Sequence, residues 1–239
     1  TCTWYNSSNI TIKFHYYDNL AGKGSCEIFV DGNTYLTEQA DNCTDTEVQI
    51  TDLSEGDHNI SIECSDNAGN TYTLPNQTIH IDTTPPNGTI EYPTTCTWFN
   101  TTTINVKIHA KDNLAGNLTY NITVNGTSVA TGNTTNCTVK TVPINVSGEG
   151  DHEIKVTFTD QAGNSYTTPG ETIHVDLTPP NTTAQGKADG TAYTFGQWTN
   201  QNVTVTLACS DLGGSGCAET YSCTDDSNAC TPNTLYDTY

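Results

Sequence analysis

Ten cysteines give this chain its clearest capacity for covalent chemistry. None of them forms a CxxC pair or lies with histidine at a spacing typical of a zinc site, and their number is even. These features favour disulfide bonds, which form outside the reducing cytosol, and they predict an extracellular or cell-surface protein. For the last four cysteines a reactive thiol or a metal site is the alternative, although no histidine or other base neighbours them.

Asparagine is the second residue type that invites modification, because 15 of the 25 asparagines begin an Asn-x-Ser/Thr sequon. Chance would give roughly 6 in a chain of this Ser/Thr content, so N-linked glycosylation is predicted. The acceptor residues are Asn6, Asn9, Asn42, Asn59, Asn76, Asn87, Asn100, Asn117, Asn121, Asn125, Asn133, Asn136, Asn145, Asn181 and Asn202.

Aspartates at recurring loop and linker positions offer oxygen ligands for calcium. The candidates are Asp18, Asp66, Asp82, Asp112, Asp160 and Asp176. No part of the chain has the dense acidic ladder of a recognisable calcium loop, and aspartate is also a residue that turns prefer. Calcium binding and a simple turn role therefore both remain open.

No catalytic motif is present: GxSxG, HExxH and P-loop patterns are all missing. His58 and His152 recur within an EGDH stretch, as structural turn residues do, and Asp225 and Asp226 lie in a turn-like stretch that needs no acid/base role. We expect a protein that is not an enzyme and that has no cofactor other than calcium.

Charge and hydrophobicity exclude several classes of partner. The chain has 27 acidic and 7 basic residues, a net charge of −20, which argues against nucleic acid and anionic membrane surfaces. No apolar run is long enough to cross a bilayer. With 33% hydrophobic residues and many Thr, Asn, Ser and Gly, the composition is typical of turn-rich β-sandwiches.

A repeat of 94 residues organises the chain and positions these groups. TCTWYNSSNITI (1–12) returns as TCTWFNTTTINV (95–106), EGDHNISIECSDNAGN (55–70) as EGDHEIKVTFTDQAGN (149–164), and TIHIDTTPP (78–86) as TIHVDLTPP (172–180). A third copy begins at QWTNQNVTVTLACSD (197–211) and stops before the later motifs. Trp4, Trp98 and Trp198 occupy equivalent places and are predicted to pack.

Within each copy apolar and polar residues alternate with period two, as in residues 10–16 and 104–110. Asp31-Gly32 and Asn125-Gly126 follow such strands and are favoured residues of type I′ hairpins. About seven short strands per copy and no helical period predict an all-β protein of tandem β-sandwiches. The seven sequons inside predicted strands all take the outward parity.

The repeat also predicts cysteine pairs. Cys2 and Cys43 correspond to Cys96 and Cys137, each pair 41 residues apart, which suggests the bonds Cys2–Cys43 and Cys96–Cys137. Cys26 and Cys64 are both replaced in the second copy, by Tyr120 and Phe158, so they are predicted to bond each other. Nearness in sequence favours Cys209–Cys217 and Cys223–Cys230 among three pairings.

The series Gly-Asp-His-x-Ile, Asp-x-Ala-Gly-Asn and Asp-x-Thr-Pro-Pro resembles the tandem immunoglobulin-like modules of prokaryotic surface proteins and adhesins. The resemblance implies Ig-like domains at 1–84 (with its first strand missing) and 85–178, and a partial domain at 179–239. The dense sequons point to archaea within that group. Proline in both connecting segments restricts the hinge, so an elongated array is expected.

The function expected from this reading is structural: a glycosylated, disulfide-bonded subunit of an extracellular filament or appendage. The alternatives are an adhesin stalk, an Ig-like module that binds carbohydrate or a receptor, and an accessory segment of a secreted enzyme. The partial third copy suggests either an excerpt of a longer array or completion by a strand from another copy of the protein.

Overall fold

The computed structural model describes residues 3–20, 22–114, 116–225 and 229–236. These residues form β-strands, turns and loops, which confirms the predicted all-β class. None of them belongs to a helix with the length and hydrophobicity that a bilayer crossing requires.

The first sandwich contains the strands β1 to β8. One sheet has the order β1-β8-β6-β3-β4, with β7 paired to β6, and the facing sheet is the pair β2-β5. The strands are β1 (Thr3–Tyr5), β2 (Ile10–Tyr16), β3 (Lys23–Val30), β4 (Asn33–Asp41), β5 (Thr44–Ile50), β6 (Gly56–Ser65), β7 (Thr71–Thr73) and β8 (Gln77–Ile81).

The second sandwich repeats this plan with one strand more. One sheet has the order β10-β17-β15-β12-β13, with β16 paired to β15, and the other has the order β14-β11-β9. The strands are β9 (Asn87–Tyr92), β10 (Trp98–Phe99), β11 (Thr103–Lys111), β12 (Asn117–Val124), β13 (Thr127–Thr135), β14 (Val139–Asn145), β15 (Gly150–Thr159), β16 (Ser165–Thr167) and β17 (Glu171–Val175).

Period-two burial builds both cores, as predicted. In β11, Ile104, Val106 and Ile108 are fully buried while the residues between them are exposed or half-buried. Burying a side chain of this size stabilises the fold by about 1.5–3 kcal/mol. Asp31 and Asn125 have the positive φ angles of the predicted tight hairpins, each followed by a glycine that also has positive φ.

The third region has a sheet of order β19-β18-β20 and a short hairpin, β21-β22. β18 and β20 are antiparallel, like β9 and β11 in the second sandwich. Trp198 is fully exposed here, so its predicted packing role is wrong in this copy, where the described residues do not cover it. The strands are β18 (Asn181–Ala188), β19 (Thr191–Tyr193), β20 (Val203–Ser210), β21 (Tyr221–Ser222) and β22 (Thr234–Leu235).

The described residues contain three disulfide bonds: Cys26–Cys64, Cys209–Cys217 and Cys223–Cys230. The first joins residues that lie directly opposite each other on β3 and β6. Tyr120 and Phe158 form the corresponding opposite pair on β12 and β15, so two buried aromatic side chains stand in place of the covalent link in the second sandwich.

Contrary to the prediction, Cys96 and Cys137 are not bonded to each other, and both are exposed free thiols. Different neighbours hold their backbones: the Cys96 amide donates to the Thr172 carbonyl (2.8 Å) and the Cys137 amide to the Ala110 carbonyl (2.9 Å). Cys43 is likewise an exposed free thiol, and its predicted partner Cys2 lies outside the described residues.

The chain divides into two compact units by the density of its contacts. One contains the chain up to Pro93 together with Asn105–Ile144 and Ile154–Glu171, and the other contains Thr94–Ile104, Asn145–Glu153 and the chain from Thr172. The groups that form the site described next all belong to the first unit.

Candidate functional site

Three buried aspartates, Asp82, Asp112 and Asp160, form what we call the carboxylate cluster. Each offers a carboxylate oxygen, and these oxygens all lie within 4.8 Å of one another. The exposed fractions of the three residues are 0%, 6% and 7%. Buried carboxylates at this spacing repel one another unless a proton or a cation compensates their charge.

Asp82 follows β8 and begins the connecting segment. Its amide donates to the Tyr5 carbonyl (2.9 Å), and its Oδ1 accepts a hydrogen bond from the Thr84 amide (3.2 Å). Its Oδ2 is buried and has no hydrogen-bond partner. Burial raises the pKa of Asp82 to about 6, and the negative charges of Asp112, Asp160 and Glu55 add to this increase, against the hydrogen bond from Thr84.

Asp112 follows β11, and Asn136 fixes its backbone. The Asp112 amide donates to Asn136 Oδ1 (2.9 Å), while Asn136 Nδ2 donates to the Asp112 carbonyl (2.8 Å). Oδ1 of Asp112 accepts from the Leu114 amide (2.9 Å). The side-chain amide of Asn136 thus substitutes for a strand partner where the ladder ends, and it sets the direction of the Asp112 side chain.

Asp160 follows β15 and closes the turn of the DxAGN motif. Its Oδ1 accepts hydrogen bonds from the amides of Gly163 (2.7 Å) and Asn164 (2.9 Å). Asn164 Nδ2 donates both to Asp160 Oδ2 (2.9 Å) and to the Asp82 carbonyl (2.7 Å). Asn164 therefore links the turn to the connecting segment, and Gly163 supplies the positive φ that the turn requires.

Glu55 is a residue that sequence reasoning missed. Its Oε1 accepts from the hydroxyls of Thr84 (2.5 Å) and Thr83 (2.8 Å), and its Oε2 accepts from Asn113 Nδ2 (3.0 Å). These hydrogen bonds, that of Thr84 first, lower the pKa of Glu55. The sequence did contain a signal for Glu55, because the EGDH motif recurs with its glutamate. In the second copy, Glu149 accepts a hydrogen bond from the Thr178 hydroxyl in the same way (2.7 Å).

The other predicted calcium candidates lie elsewhere. Asp18 and Asp66 are half-buried in the first sandwich, where Asn42 bonds the Asp18 backbone and Asn70 Nδ2 donates to Asp66 (2.7 Å). Within the described residues, neither belongs to a group of three potential metal ligands. The structure thus brings together one member of each recurring aspartate set, Asp82, Asp112 and Asp160. Asp18 and Asp66 line one groove with Tyr16 but form no group of three ligands among the described residues.

Asp176 is the repeat equivalent of Asp82, but its surroundings differ. Its Oδ2 accepts hydrogen bonds from the Ser215 amide (2.7 Å) and the Ser215 hydroxyl (2.8 Å), and these lower its pKa. A Cβ atom at Gly214 would lie 2.4 Å from that same oxygen. The loop that follows β20 therefore occupies the space around this carboxylate and satisfies it.

The second edge of β2 is a further feature. β2 pairs with β5 alone among the described residues, whereas the equivalent strand β11 pairs with both β14 and β9. A groove of about 340 Å³, lined in part by Phe14, Tyr16 and Tyr72, runs along this edge. Tyr72 is 69% exposed and Leu74 38%, but their equivalents in the second sandwich are half-buried Tyr166 and buried Thr168.

The sequon asparagines are exposed or half-buried, and none is buried. The side-chain amides of Asn42 and Asn136 donate to the carbonyls of Asp18 (2.6 Å) and Asp112 (2.8 Å), so these two nitrogens already have structural roles. Glycosylation stays a prediction at the other 13 positions, while these two hydrogen bonds argue against it at Asn42 and Asn136.

Histidines and tryptophans form a second repeated arrangement that sequence reasoning missed. Trp4 stacks on His80 and Trp98 on His174, each with ring centroids 4.6 Å apart. Each of these histidines is paired through Nδ1 with the aspartate of EGDH, Asp57 or Asp151. His58, which the same motif contains, contacts Asp31 Oδ2 (2.7 Å) and the Ser54 carbonyl (2.8 Å), a structural role.

Comparison with known proteins supports the fold. No protein-family model matches the chain, and no curated protein sequence is similar to it. Fibronectin type III-like modules of CbhA from Clostridium thermocellum match with a TM-score of 0.50 and 15% identity, over 73% of this chain and 89% of theirs. A 1.5-MDa bacterial ice-binding adhesin matches with a TM-score of 0.38 and 20% identity, over 77% of this chain and 64% of its own. The structural likeness to the CbhA modules shows tandem fibronectin-like or Ig-like sandwiches and nothing finer.

Proposed function

We propose that this chain is a structural part of an extracellular filament or surface appendage, built from disulfide-bonded, N-glycosylated Ig-like modules. Three disulfide bonds support a location outside the cytosol. The net charge of −20 and the accessible sequons support a highly solvated surface. The observation that carries the assembly part of the proposal is the open edge of β2.

A strand equivalent to β9 pairs with this edge, supplied by a second copy of the protein or by a preceding segment of the same protein. In the second sandwich β9 pairs antiparallel with β11, with Ile90 opposite Ile108 and Gly88 opposite Ala110. In the repeat, Ile108 and Ala110 correspond to Phe14 and Tyr16 of β2, so the same register is expected there. We therefore expect an incoming strand with an apolar residue at Phe14 and a small residue at Tyr16, and main-chain hydrogen bonds that provide most of the affinity.

The test is assembly of the full chain, followed by sedimentation and electron microscopy as its concentration rises. Leu74→Lys places a charge on the rim of the groove at a partly exposed position, and it is expected to abolish assembly. Val139→Lys, at a 54% exposed position on β14, is the matched control and is expected to assemble normally. A synthetic peptide of residues 87–92 is expected to compete.

Three results would contradict the proposal in different ways. A chain that stays monomeric and does not bind the peptide has no strand-accepting edge. Peptide binding without assembly indicates that the edge accepts a strand but that a second copy does not supply it. Dispersed monomers that bind glycans would favour the alternative, an Ig-like binding module of a larger surface protein.

A further inference from the structure

We propose that the carboxylate cluster binds one calcium ion, coordinated by Asp82, Asp112 and Asp160. The observation that singles out this group is Asp82, which is fully buried and whose Oδ2, without a hydrogen-bond partner, is one of its two carboxylate oxygens. A buried polar atom without a partner costs free energy, and a cation at the centre of the group would supply that partner.

The ligand chemistry is that of a hard cation. The group contains carboxylate oxygens and no sulfur or imidazole nitrogen. Oxygens bound to one Ca²⁺ at 2.3–2.6 Å are at most about 5 Å apart, whereas those on one Mg²⁺ are at most about 4 Å apart. The three aspartate oxygens lie within 4.8 Å of one another, a limit that Ca²⁺ satisfies. Ca²⁺ also accepts irregular sets of protein oxygens, whereas Mg²⁺ requires near-ideal octahedral geometry and usually keeps several waters, so a buried group of three carboxylates favours Ca²⁺.

The surrounding hydrogen bonds position the residues of the carboxylate cluster before an ion binds. Asn136 and Asn164 hold the backbones of Asp112 and Asp82, and the Asp160 turn is closed by its own amides. Calcium would therefore complete a group whose ligands are already positioned, and would link the segment after β8 to the loops after β11 and β15. This inference does not depend on the proposed pairing of an incoming strand with β2.

The equivalent place after β17 provides a comparison within the same chain. Asp176 Oδ2 is satisfied by Ser215, and Asp211 Oδ2 accepts from the Gly216 amide (2.8 Å). Asp211 Oδ1 is buried without a hydrogen-bond partner, as Asp82 Oδ2 is, but the described residues place no third carboxylate beside Asp176 and Asp211. We therefore expect one specific calcium ion per chain rather than one at each copy of the repeat.

The experiment titrates the full chain with CaCl₂ after treatment with EDTA, by isothermal titration calorimetry in about 0.15 M NaCl, which screens diffuse counterion binding by an acidic chain. One ion per chain is expected, with a Kd of about 10⁻³ M or tighter. Asp82→Asn is expected to weaken binding at least about tenfold by removing one ligand charge. Asp176→Asn makes the same change in net charge and is expected to leave binding unchanged.

Two further readouts separate a metal ligand from a merely structural residue. Calcium is expected to slow amide hydrogen exchange in segments 112–114 and 160–164 but not in 211–216. Without calcium, Asp82→Asn is expected to melt at the same temperature as the native chain or higher, because it relieves repulsion in the cluster. Absence of saturable calcium binding, equal binding by Asp82→Asn, or equal affinity for Mg²⁺ would overturn the proposal.

Discussion

Replacing Cys26 and Cys64 together by alanine is expected to loosen the first sandwich alone. The disulfide closes a loop with a sequence separation of 38 residues. In the chain-entropy treatment such a loop contributes about 4 kcal/mol to the free energy of unfolding. Because Cys26 is fully buried, loss of its sulfur leaves a small void that costs about 1 kcal/mol more. The total expected loss is about 5 kcal/mol.

Peptide-resolved hydrogen exchange measures this loss where it occurs. Protection of the β3 and β6 amides is expected to fall by roughly three to four orders of magnitude, since each factor of ten corresponds to about 1.4 kcal/mol. β12 and β15 serve as the internal reference, because Tyr120 and Phe158 stand at the same positions and the substitution does not touch them. Their protection is expected to stay unchanged.

A second double variant controls for loss of any disulfide. Cys223→Ala/Cys230→Ala opens a loop with a separation of only 7 residues, for which the same treatment gives about 2 kcal/mol. Its effect should be confined to the hairpin β21-β22. If the Cys26/Cys64 variant lowers β3 protection less than tenfold, or lowers β12 protection equally, the bond is not a local stabiliser of the first sandwich and the reasoning fails.

Three further outcomes are expected. Burial of the His58 ring opposes its protonation, but hydrogen bonds to Asp31 and Ser54 raise its pKa, so the resulting stabilisation is present below pH 6.5 and is lost as pH rises through the raised pKa. Asp31→Asn should therefore remove a pH dependence of about 1 kcal/mol in urea unfolding of the first sandwich. An unaltered pH profile would refute this. Gly88→Ala would place a Cβ 2.3 Å from the Phe158 ring and should destabilise β9 by about 1–3 kcal/mol, whereas Gly116→Ala, which meets open space, should cost less than half as much in the same denaturation assay. Glycopeptide mass spectrometry of the secreted chain should find the Asn42 and Asn136 sequons unmodified, because their side-chain nitrogens hold Asp18 and Asp112; full occupancy would contradict that role.

Strand positions were predictable because alternation and hairpin residues are local signals. Cysteine pairing was predictable from joint replacement within the repeat and, for Cys209–Cys217 and Cys223–Cys230, from nearness in sequence. Cys26 and Cys64 are replaced together because they face each other across two strands. Cys43 and Cys137 also recur, and both have positive φ, 58° and 59°, so the repeat preserves their backbone conformation, but this recurrence did not identify a bond between Cys96 and Cys137.

The carboxylate cluster shows what a repeat cannot reveal by itself. The 94-residue repeat makes Asp82 equivalent to Asp176. In space, however, the neighbours of Asp82 are Asp112 and Asp160, which belong to the following copy. The two equivalent residues even differ in the direction of their pKa shifts: burial among carboxylates raises that of Asp82, while Ser215 lowers that of Asp176. A recurring aspartate therefore identifies a place in the fold, and its chemistry depends on whether a neighbouring loop supplies hydrogen-bond donors or further carboxylates. This is why the calcium inference applies to one of these places and not to its equivalent.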